Sequence, residues 1–412
     1  MTVIKDMTAY WLYLNPYTFI FRGNESSLVY NTINGSHFRY HDKHVIDVLE
    51  YLSEPNHGYI VPISREQAKD RRFVAFVRDV RRSFSGDVVS VKQIDEKHKP
   101  FIFMPKLRLY NDVARIKKER GESLGELILR NLGEVTFFLS GTCPHRCINC
   151  KQYCKQFIHC TQEYTEETLA LDDYTRLFIQ LEACGVNRLN FVLTELSEAN
   201  EKLLLGLQIY SFKKHLYLSW KNLNHNFLKL LNEKTELHVS VDLSEEDAAT
   251  LSNRIEAYKG YSISWEFIVT QESDLDFVEQ MDVEKKTMRP FYNGKNRAFF
   301  EDAVFMRLED LTEVPISKKQ IFRRQALNEN FFGKMYVHAN GNVYTNLNQK
   351  VLGNFKTNTL GEMIYKELDD SHAWLKTRDG EVCGNCVYRY LCPSISNYEL
   401  VLGQENLCHI KK

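Results

Sequence analysis

The sequence predicts an α/β protein built around a parallel sheet, either open or closed into a barrel. Residues 134–300 alternate strand-like segments, beginning with "EVTFFLS", with segments of helical period. Repeated β–α units imply right-handed crossovers and therefore parallel strands. The regions before residue 100 and after residue 330 have shorter strands and more turns. We therefore expect a central α/β domain between two smaller units.

Composition fits a globular protein of two or three domains. The chain has 412 residues, 43% of them hydrophobic and 26% charged, and a net charge of −1. Such a balance provides no global field for nucleic acid or an anionic membrane. The first residues lack an apolar signal core, and no 18 consecutive residues are apolar. We expect a cytoplasmic protein without nucleic-acid or membrane partners.

The N-terminal unit, residues 8–100, is expected to be a small α/β domain. "YTFIFRGNESSLVYNTINGSHFRY" predicts two or three strands with turns at Gly23-Asn24 and Asn34-Gly35. "HVIDVLEYL" predicts a helix, "YIVPIS" a strand, and "REQAKDRRFVAFVRDVRRSF" a second helix that Gly86 ends. This order resembles a winged helix-turn-helix. Residues 101–133 are predicted to be a polar linker that is partly helical.

The central unit continues as regular strand and helix alternation. A helix in "TLALDDYTRLFIQLEACGV" is predicted to stop at Gly185. The strands that follow are predicted in "RLNFVLT", "HLYLSW", "ELHVSVDL" and "YSISWEFIVT", with helical segments between them. Beyond residue 330, "GKMYVHANGNVYTNL" predicts a hairpin turned at Asn340-Gly341, and "TLGEMI" begins a helix. Chemistry is expected in the loops after the C-terminal ends of the parallel strands.

Five of the ten cysteines lie between residues 143 and 160. A reducing cytosol disfavours disulfides, so clustered thiols there indicate a metal site. Cys143, Cys147 and Cys150 form a C-x3-C-x2-C pattern directly after the first predicted strand of the central unit. Three thiolates on a 4Fe-4S cluster leave one iron open, since such clusters normally take four. The alternative is zinc, with a fourth ligand from Cys154, Cys160 or His159.

This cysteine segment resembles that of the radical S-adenosylmethionine (SAM) family in its spacing, its position after the first strand and its sequence "CPHRC". This resemblance implies a partial (β/α)6 TIM-like barrel, expected over residues 134–325. It also implies that Cys143, Cys147 and Cys150 hold a SAM-binding 4Fe-4S cluster. SAM would bind the open iron through its amino and carboxylate groups. One electron from the cluster would then cleave SAM to methionine and a 5'-deoxyadenosyl radical.

The resemblance also indicates cofactor-binding residues, with departures from the family pattern. Asn149 stands where the family usually has an aromatic residue on the adenine. The second strand of the family ends in Gly-Gly-Glu, whereas this chain has Leu193, Thr194 and Glu195. Glu195 is the candidate carboxylate for the SAM amino group. "SVDL" resembles the family's Ser-x-Asp and makes Ser240 and Asp242 candidates, with loop capping as the alternative role. No catalytic residue is assigned.

The remaining cysteine pattern is "CGNCVYRYLC" followed by "ENLC". With the preceding hairpin and helix, it resembles the SPASM or twitch extension of peptide-modifying radical SAM enzymes, here residues 326–412. That extension carries two auxiliary clusters, and the positions of the first are Asn346, Ser396 and the cysteine-free "QALNENF". The resemblance assigns one auxiliary 4Fe-4S cluster to four retained thiols, with a structural zinc site as the alternative. They are Cys383, Cys386, Cys392 and Cys408.

The predicted second N-terminal helix is basic, which allows two functional interpretations. DNA binding is disfavoured by the neutral net charge and the attached cysteine-rich domains. The unit also resembles the precursor-recognition domain of peptide maturases, in which a leader peptide adds as a strand at a sheet edge. The alternative is a solvated face with Phe73, Val77 and Val80 pointing inward. The basic residues are Lys69, Arg71, Arg72, Arg78, Arg81 and Arg82.

The sequence thus leads to a functional hypothesis with one rival. The chain would be a radical SAM enzyme that abstracts hydrogen from the core of a ribosomally made precursor peptide (RiPP maturation). Its partners would be the precursor and a reductant such as flavodoxin or ferredoxin. The rival is a non-catalytic homologue that binds the leader and partners a true, second radical SAM maturase. The missing Gly-Gly, Asn149 and the reduced cysteine set also suit this rival.

Overall fold

The computed structural model describes most of the chain, with gaps at the termini and in several internal segments. The described residues are 8–90, 102, 105, 129–140, 155–158, 169–193, 196–229, 232–243, 248–370 and 373–410. Among these residues no helix is long and apolar enough to cross a membrane.

The N-terminal region contains two three-stranded antiparallel sheets. In the first, β1 lies between β5 and β6; in the second, β3 lies between β2 and β4. Helices α1 and α2 cover the first sheet, and their apolar residues, among them Leu49 and Phe76, form one core with Leu12 and Leu14. The bounds are Thr8–Leu14 (β1), Thr18–Arg22 (β2), Ser27–Asn31 (β3), His37–Tyr40 (β4), Lys43–Ser53 (α1), Ile60–Ser64 (β5), Arg71–Arg82 (α2) and Gly86–Ser90 (β6).

The second small sheet packs on the C-terminal region rather than on the first sheet alone. Phe19 and Phe21 of β2 share a buried cluster with Val387 and Leu391. The β2–β3 turn comes so close that a Cβ on Gly23 would lie 2.8 Å from the Asn385 carbonyl oxygen. The N-terminal hairpin therefore rests directly on the turn that carries Cys383 and Cys386.

The centre of the molecule is a nine-stranded, mostly parallel sheet. Six successive strands pair in parallel in chain order, which is consistent with a partial barrel of the TIM type. The strands are Glu134–Ser140 (β7), Arg188–Leu193 (β8), Lys213–Ser219 (β9), Thr235–Asp242 (β10), Ile263–Val269 (β11) and Lys286–Pro290 (β12). The intervening helices are Leu171–Ala183 (α3), Glu198–Gly206 (α4), His225–Leu228 (α5), Ala248–Glu256 (α6) and Glu272–Gln280 (α7).

One face of the parallel sheet is covered by these helices. Phe137 of β7 stacks on Phe191 of β8 with ring centroids 5.4 Å apart, and Phe178 of α3 meets it edge-on at 5.5 Å. Tyr174 lies one helical turn earlier on the same face of α3, as the i, i+4 spacing requires. Helix α3 stops before Gly185, whose φ of +79° is the left-handed conformation that glycine adopts without strain.

Three strands extend the sheet beyond β7. Strand β13 pairs in parallel with β7, and β14 and β15 continue antiparallel. Gly341, with φ of +88°, turns the predicted hairpin between β13 and β14. The remaining bounds are Arg297–Val304 (α8), Leu308–Thr312 (α9), Lys318–Ala326 (α10), Lys334–Val337 (β13), Asn342–Tyr344 (β14), Gly353–Asn354 (β15), Leu360–Asp370 (α11), Glu381–Gly384 (α12) and Asn397–Leu402 (α13).

Two details of the sequence prediction are wrong in the N-terminal region. The predicted helix over 65–84 begins only at Arg71, because Asp70 caps it by accepting a hydrogen bond from the Arg72 amide at 2.8 Å. Gly86 begins strand β6 instead of ending α2, and the helix ends at Arg82 with Ser83 as its C-cap. A side chain at residue 86 would not fit, since a Cβ there would lie 2.0 Å from the Tyr13 carbonyl oxygen.

Candidate metal and cofactor sites

The face of the parallel sheet opposite the main hydrophobic core carries many polar side chains, beside a small apolar cluster that includes Phe138 and Val192. Along β9 and β10, Leu216 and Val239 belong to the core, whereas His215 and His238 alternate with such residues and point the other way. We call this side the polar face. Its described members on β7 to β11 include Glu134, Thr136, Arg188, Asn190, His215, Tyr217, Ser219, Glu236, His238, Ser240, Asp242 and Glu266.

Ser240 and Asp242 lie on the polar face at the C-terminal end of β10. Both are buried, with 1% and 7% of their surface exposed, and the Ser240 hydroxyl donates to the Leu218 carbonyl oxygen at 3.4 Å. Ser240 is level with Ser219 of β9 and Glu266 of β11. The two residues therefore lie at the edge where the sequence places the chemistry.

The first cysteine segment lies outside the described residues, which excludes Cys143, Cys147, Cys150 and Asn149 from structural description. Residues on either side of this segment have described positions at the sheet. It begins after Ser140, the last residue of β7. After the segment, the side-chain amide of Gln156 binds the backbone of Tyr292. It donates to the Tyr292 carbonyl oxygen at 2.9 Å and accepts from the Tyr292 amide at 3.0 Å. Both ends are thus fixed at the C-terminal edge of the sheet.

Glu195 and Thr194 also lie outside the described residues. Leu193, the preceding residue and the end of β8, is 2% exposed and belongs to the hydrophobic core. Here the chain places a large apolar side chain where the family pattern has glycine.

Sequence reasoning missed a chain of charged and polar groups across the polar face. Asn190 donates to the Glu134 carboxylate at 2.7 Å and accepts from Arg188 at 3.1 Å. Arg188 also donates to the Tyr217 hydroxyl at 3.0 Å and comes within 3.5 Å of Nδ1 of His215. Burial, the Arg188 cation and His238 lower the pKa of His215 to about 4, so this imidazole is neutral at pH 7.

The four C-terminal cysteines form the best-described candidate site. All four thiols are partly buried and free, and Cys386 follows α12 with its amide bonded to the Cys383 carbonyl at 3.0 Å. Cys408 joins from the end of the chain, where the backbone on either side of it bonds to Met306. Burial raises the pKa of Cys392 to about 12, and the other three thiols lie close enough to raise it too.

Arg378 is the cation beside this cysteine group, and it lowers the pKa of both Cys383 and Cys392 against the effect of burial. Its guanidinium is fixed by three partners. It donates to the carbonyl oxygens of Pro393 at 2.5 Å and Glu405 at 3.1 Å and to the Glu399 carboxylate at 2.5 Å. A fixed cation of this kind favours thiolates, which are the form that binds metal.

Polar, hydrogen-bonded side chains occupy the segments where the auxiliary cysteines are absent. Asn346 donates to the Asn397 side chain at 2.7 Å, directly beside Ser396. In the "QALNENF" segment, the fully buried Asn328 donates to the carbonyl oxygens of Lys376 and Ile395, at 3.1 and 3.0 Å. The three segments therefore meet through amide groups instead of through metal ligands.

The basic residues of α2 are partly neutralised. Arg72 pairs with Asp42 at 2.7 Å and Arg81 with Asp87 at 2.7 Å. Phe73 and Val80 point into the core as predicted, whereas Val77 is only partly buried. In the first N-terminal sheet, β5 and β6 are the edge strands of the described residues.

Comparisons with known proteins add a distant structural likeness. No protein-family model matches the chain, and no curated protein matches it. Three crystal structures of SuiB from Streptococcus suis align with it: SuiB alone, SuiB with S-adenosylmethionine and SuiB with its precursor peptide SuiA. Their identities are 10, 10 and 11% and their TM-scores 0.43, 0.42 and 0.44. The alignments cover 96–97% of this chain and 99–100% of SuiB. These values are too low to establish a family.

Proposed function

We propose that this chain is an iron–sulfur protein of the radical SAM type that acts on a ribosomally made precursor peptide. The observation that carries the proposal is the position of the C-x3-C-x2-C segment. Its flanking residues, Ser140 and Gln156, are both held at the C-terminal edge of the parallel sheet. Ser240 and Asp242 lie at this same edge.

Residues of the chain would have distinct tasks at that edge. Cys143, Cys147 and Cys150 would hold the 4Fe-4S cluster and leave one iron for SAM. Glu195, Ser240 and Asp242, together with Asn149, would orient SAM. Asp242 is a buried carboxylate at this edge. When bound, the cluster supplies the electron for SAM cleavage, and the protein positions the cofactors and excludes water.

The C-terminal thiols fit a second, closed cluster. Four partly buried cysteines with no disulfide among them lie within electrostatic reach of one another, and the fixed Arg378 cation acts on two of them. Four thiolates complete a 4Fe-4S cluster without an open iron, which suits structural closure or electron transfer. The N-terminal hairpin packs on this site.

Precursor recognition is proposed for the first N-terminal sheet. An extended leader would add to β5 or β6, which are the edge strands of this sheet within the described chain. The basic residues of α2 would favour an acidic leader, although Arg72 and Arg81 are already paired with carboxylates. The core of the precursor would then reach the polar face.

Two observations favour the second candidate, a non-catalytic homologue that presents the leader to another maturase. Leu193 is fully packed at the position of a family glycine, and amides replace an auxiliary cluster. Both changes would weaken cofactor binding and do not touch the N-terminal sheet proposed to bind the leader.

SAM cleavage separates the two candidates. The anaerobically reconstituted and reduced protein is incubated with SAM alone, and 5'-deoxyadenosine is measured by chromatography. The enzyme hypothesis predicts its formation by the wild type and its loss in Cys147→Ser. Cys184→Ser is the matched control, because Cys184 lies at the end of α3 outside both cysteine groups. A fully loaded wild-type protein that forms none contradicts the enzyme and supports the second candidate.

A further inference from the structure

Two histidines and a glutamate on the polar face bring three metal-ligand atoms together. They are Nδ1 of His215, Nε2 of His238 and Oε2 of Glu236, and all lie within 4.8 Å of one another. We propose that this group binds a divalent first-row cation such as Zn²⁺, with at least one coordination position open to a water or a ligand oxygen. This site is independent of the cysteine groups and of the proposed function.

The distances fit a single ion. His215 Nδ1 is 2.9 Å from His238 Nε2 and 3.5 Å from Glu236 Oε2, and the last two atoms are 3.8 Å apart. Zinc bonds of 2.0–2.2 Å in tetrahedral geometry separate neighbouring ligand atoms by about 3.3 Å. The observed distances bracket that value, so small side-chain rotations bring all three atoms onto one ion.

Adjacent parallel strands create the arrangement. His215 of β9 is paired in register with Glu236 of β10, and His238 follows two residues later on the same face. Tyr217 stacks on the His238 ring at 4.5 Å and 12°, which fixes its plane. Ligands on two neighbouring strands of a central sheet are held more rigidly than ligands on loops.

A second carboxylate sets the tautomer of His238. Glu266 on β11 lies 3.5 Å from Nδ1 of His238, and Arg289 donates to Glu266 at 3.2 Å. A proton on Nδ1 leaves the Nε2 lone pair directed at His215, the arrangement of carboxylate–histidine–metal sites. The two facing ring nitrogens then share one proton at 2.9 Å, and a metal ion would replace it.

The net charge of the side chains around the histidines favours the binding of a cation. Three carboxylates, Glu134, Glu236 and Glu266, face or flank the two histidines, against the guanidinium groups of Arg188 and Arg289. With both imidazoles in the neutral form that binds metal, these carboxylates and guanidinium groups leave one net negative charge. The side chains of His215 and His238 are 9% and 14% exposed, whereas Glu236 is 61% exposed. The metal would therefore enter from the solvent side through Glu236.

The site also borders the proposed cofactor edge. Ser240 follows His238 by two residues on the same face, which places it about 7 Å further along β10. An open metal position there would face a molecule bound over the polar face and could take one of its carboxylate or carbonyl oxygens.

The test is zinc binding by the full-length, iron-loaded protein after removal of loose metal with a chelator. One equivalent of Zn²⁺ is added under anaerobic conditions and examined by zinc-edge X-ray absorption. The expected spectrum has nitrogen and oxygen neighbours at about 2.0–2.1 Å, with imidazole scattering. Sulfur neighbours at about 2.3 Å, or no bound zinc, would overturn the proposal.

Variants assign the ligands. Glu236→Gln and His238→Gln are each expected to weaken zinc binding at least 10-fold in competition with a chromophoric chelator. Glu233→Gln and His225→Gln are the matched controls, because both side chains are exposed and lie outside the proposed ligand group. If circular dichroism shows that His238→Gln does not fold, the result for Glu236→Gln alone tests the proposal, because the Glu236 side chain is mostly exposed. Unchanged affinity in Glu236→Gln would overturn the proposal.

Discussion

Arg378 is the single residue on which the geometry of the C-terminal cysteine group most depends. Its guanidinium joins three segments, through Pro393, Glu399 and Glu405, and its charge acts on Cys383 and Cys392. The planar fork of arginine suits this set of acceptors, whereas lysine would offer one point of attachment. Arg378 is a positioning residue for the metal ligands.

We expect Arg378→Gln to weaken metal retention at the C-terminal site about 10-fold, because partners around ligands typically contribute that much. Loss of iron to a chelator is followed over time and compared with Arg176→Gln, whose side chain is 74% exposed. The variant should also change the reduction potential of the C-terminal cluster, an effect that a purely structural role would not produce. Wild-type iron release and potential in Arg378→Gln would show that the cation has no such role.

At the scale of elements, the strands that sequence reasoning missed have physical explanations. Strand β1 has its partners β5 and β6 about 50 and 80 residues away, so no local turn marks it. Strand β12 is an edge strand whose residues are only partly buried or exposed, so it lacks an apolar pattern. The buried strands β7 to β11 were predictable because both their composition and their spacing follow the β–α alternation.

The β1–β6 ladder gives a prediction for chain packing. Gly86→Ala places a methyl group against the backbone of Tyr13, so we expect a loss of about 3 kcal/mol in the free energy of unfolding. Gly206→Ala meets nothing within 4 Å at the end of α4 and should gain about 0.5–1 kcal/mol. Denaturant titration compares both with the wild type. Equal effects of the two substitutions would contradict the described ladder.

The contact between α3 and the sheet gives a prediction of pH dependence. Burial raises the pKa of Tyr174 to about 12 in the folded protein, whereas an unfolded tyrosine titrates near 10. The folded state therefore holds its proton longer, and this contribution to stability is complete below pH 10 and lost as the pH rises from 10 to 12. A two-unit shift corresponds to about 2–3 kcal/mol.

The expected result is a smaller alkaline loss of unfolding free energy in Tyr174→Phe than in the wild type. Tyr261→Phe, at a side chain that is 48% exposed, serves as the control and should follow the wild type. An identical pH profile for Tyr174→Phe would mean that Tyr174 is not buried between α3 and β7.

At the scale of the whole molecule, the candidate sites differ in how far the sequence could predict them. The cysteine groups can be predicted from the sequence because their ligands lie close together in the chain at metal-binding spacings. The group of His215, Glu236 and His238 is assembled from two strands, and its ligands have no common sequence motif. Polar and apolar residues alternate in "HLYLS" and "ELHVSVD", which predicts two strands. The alternation does not predict which residues of the two strands lie side by side.

The central claim is that three thiolates over the sheet edge hold a cluster with an iron open to SAM. Electron paramagnetic resonance of the reduced protein, with and without SAM, tests it most directly. We expect about eight irons per chain, from two 4Fe-4S clusters. We also expect SAM to shift the electron paramagnetic resonance signal of the wild type but not that of Cys147→Ser. Zinc in place of iron at both cysteine groups, or a wild-type spectrum that SAM leaves unchanged, would contradict it.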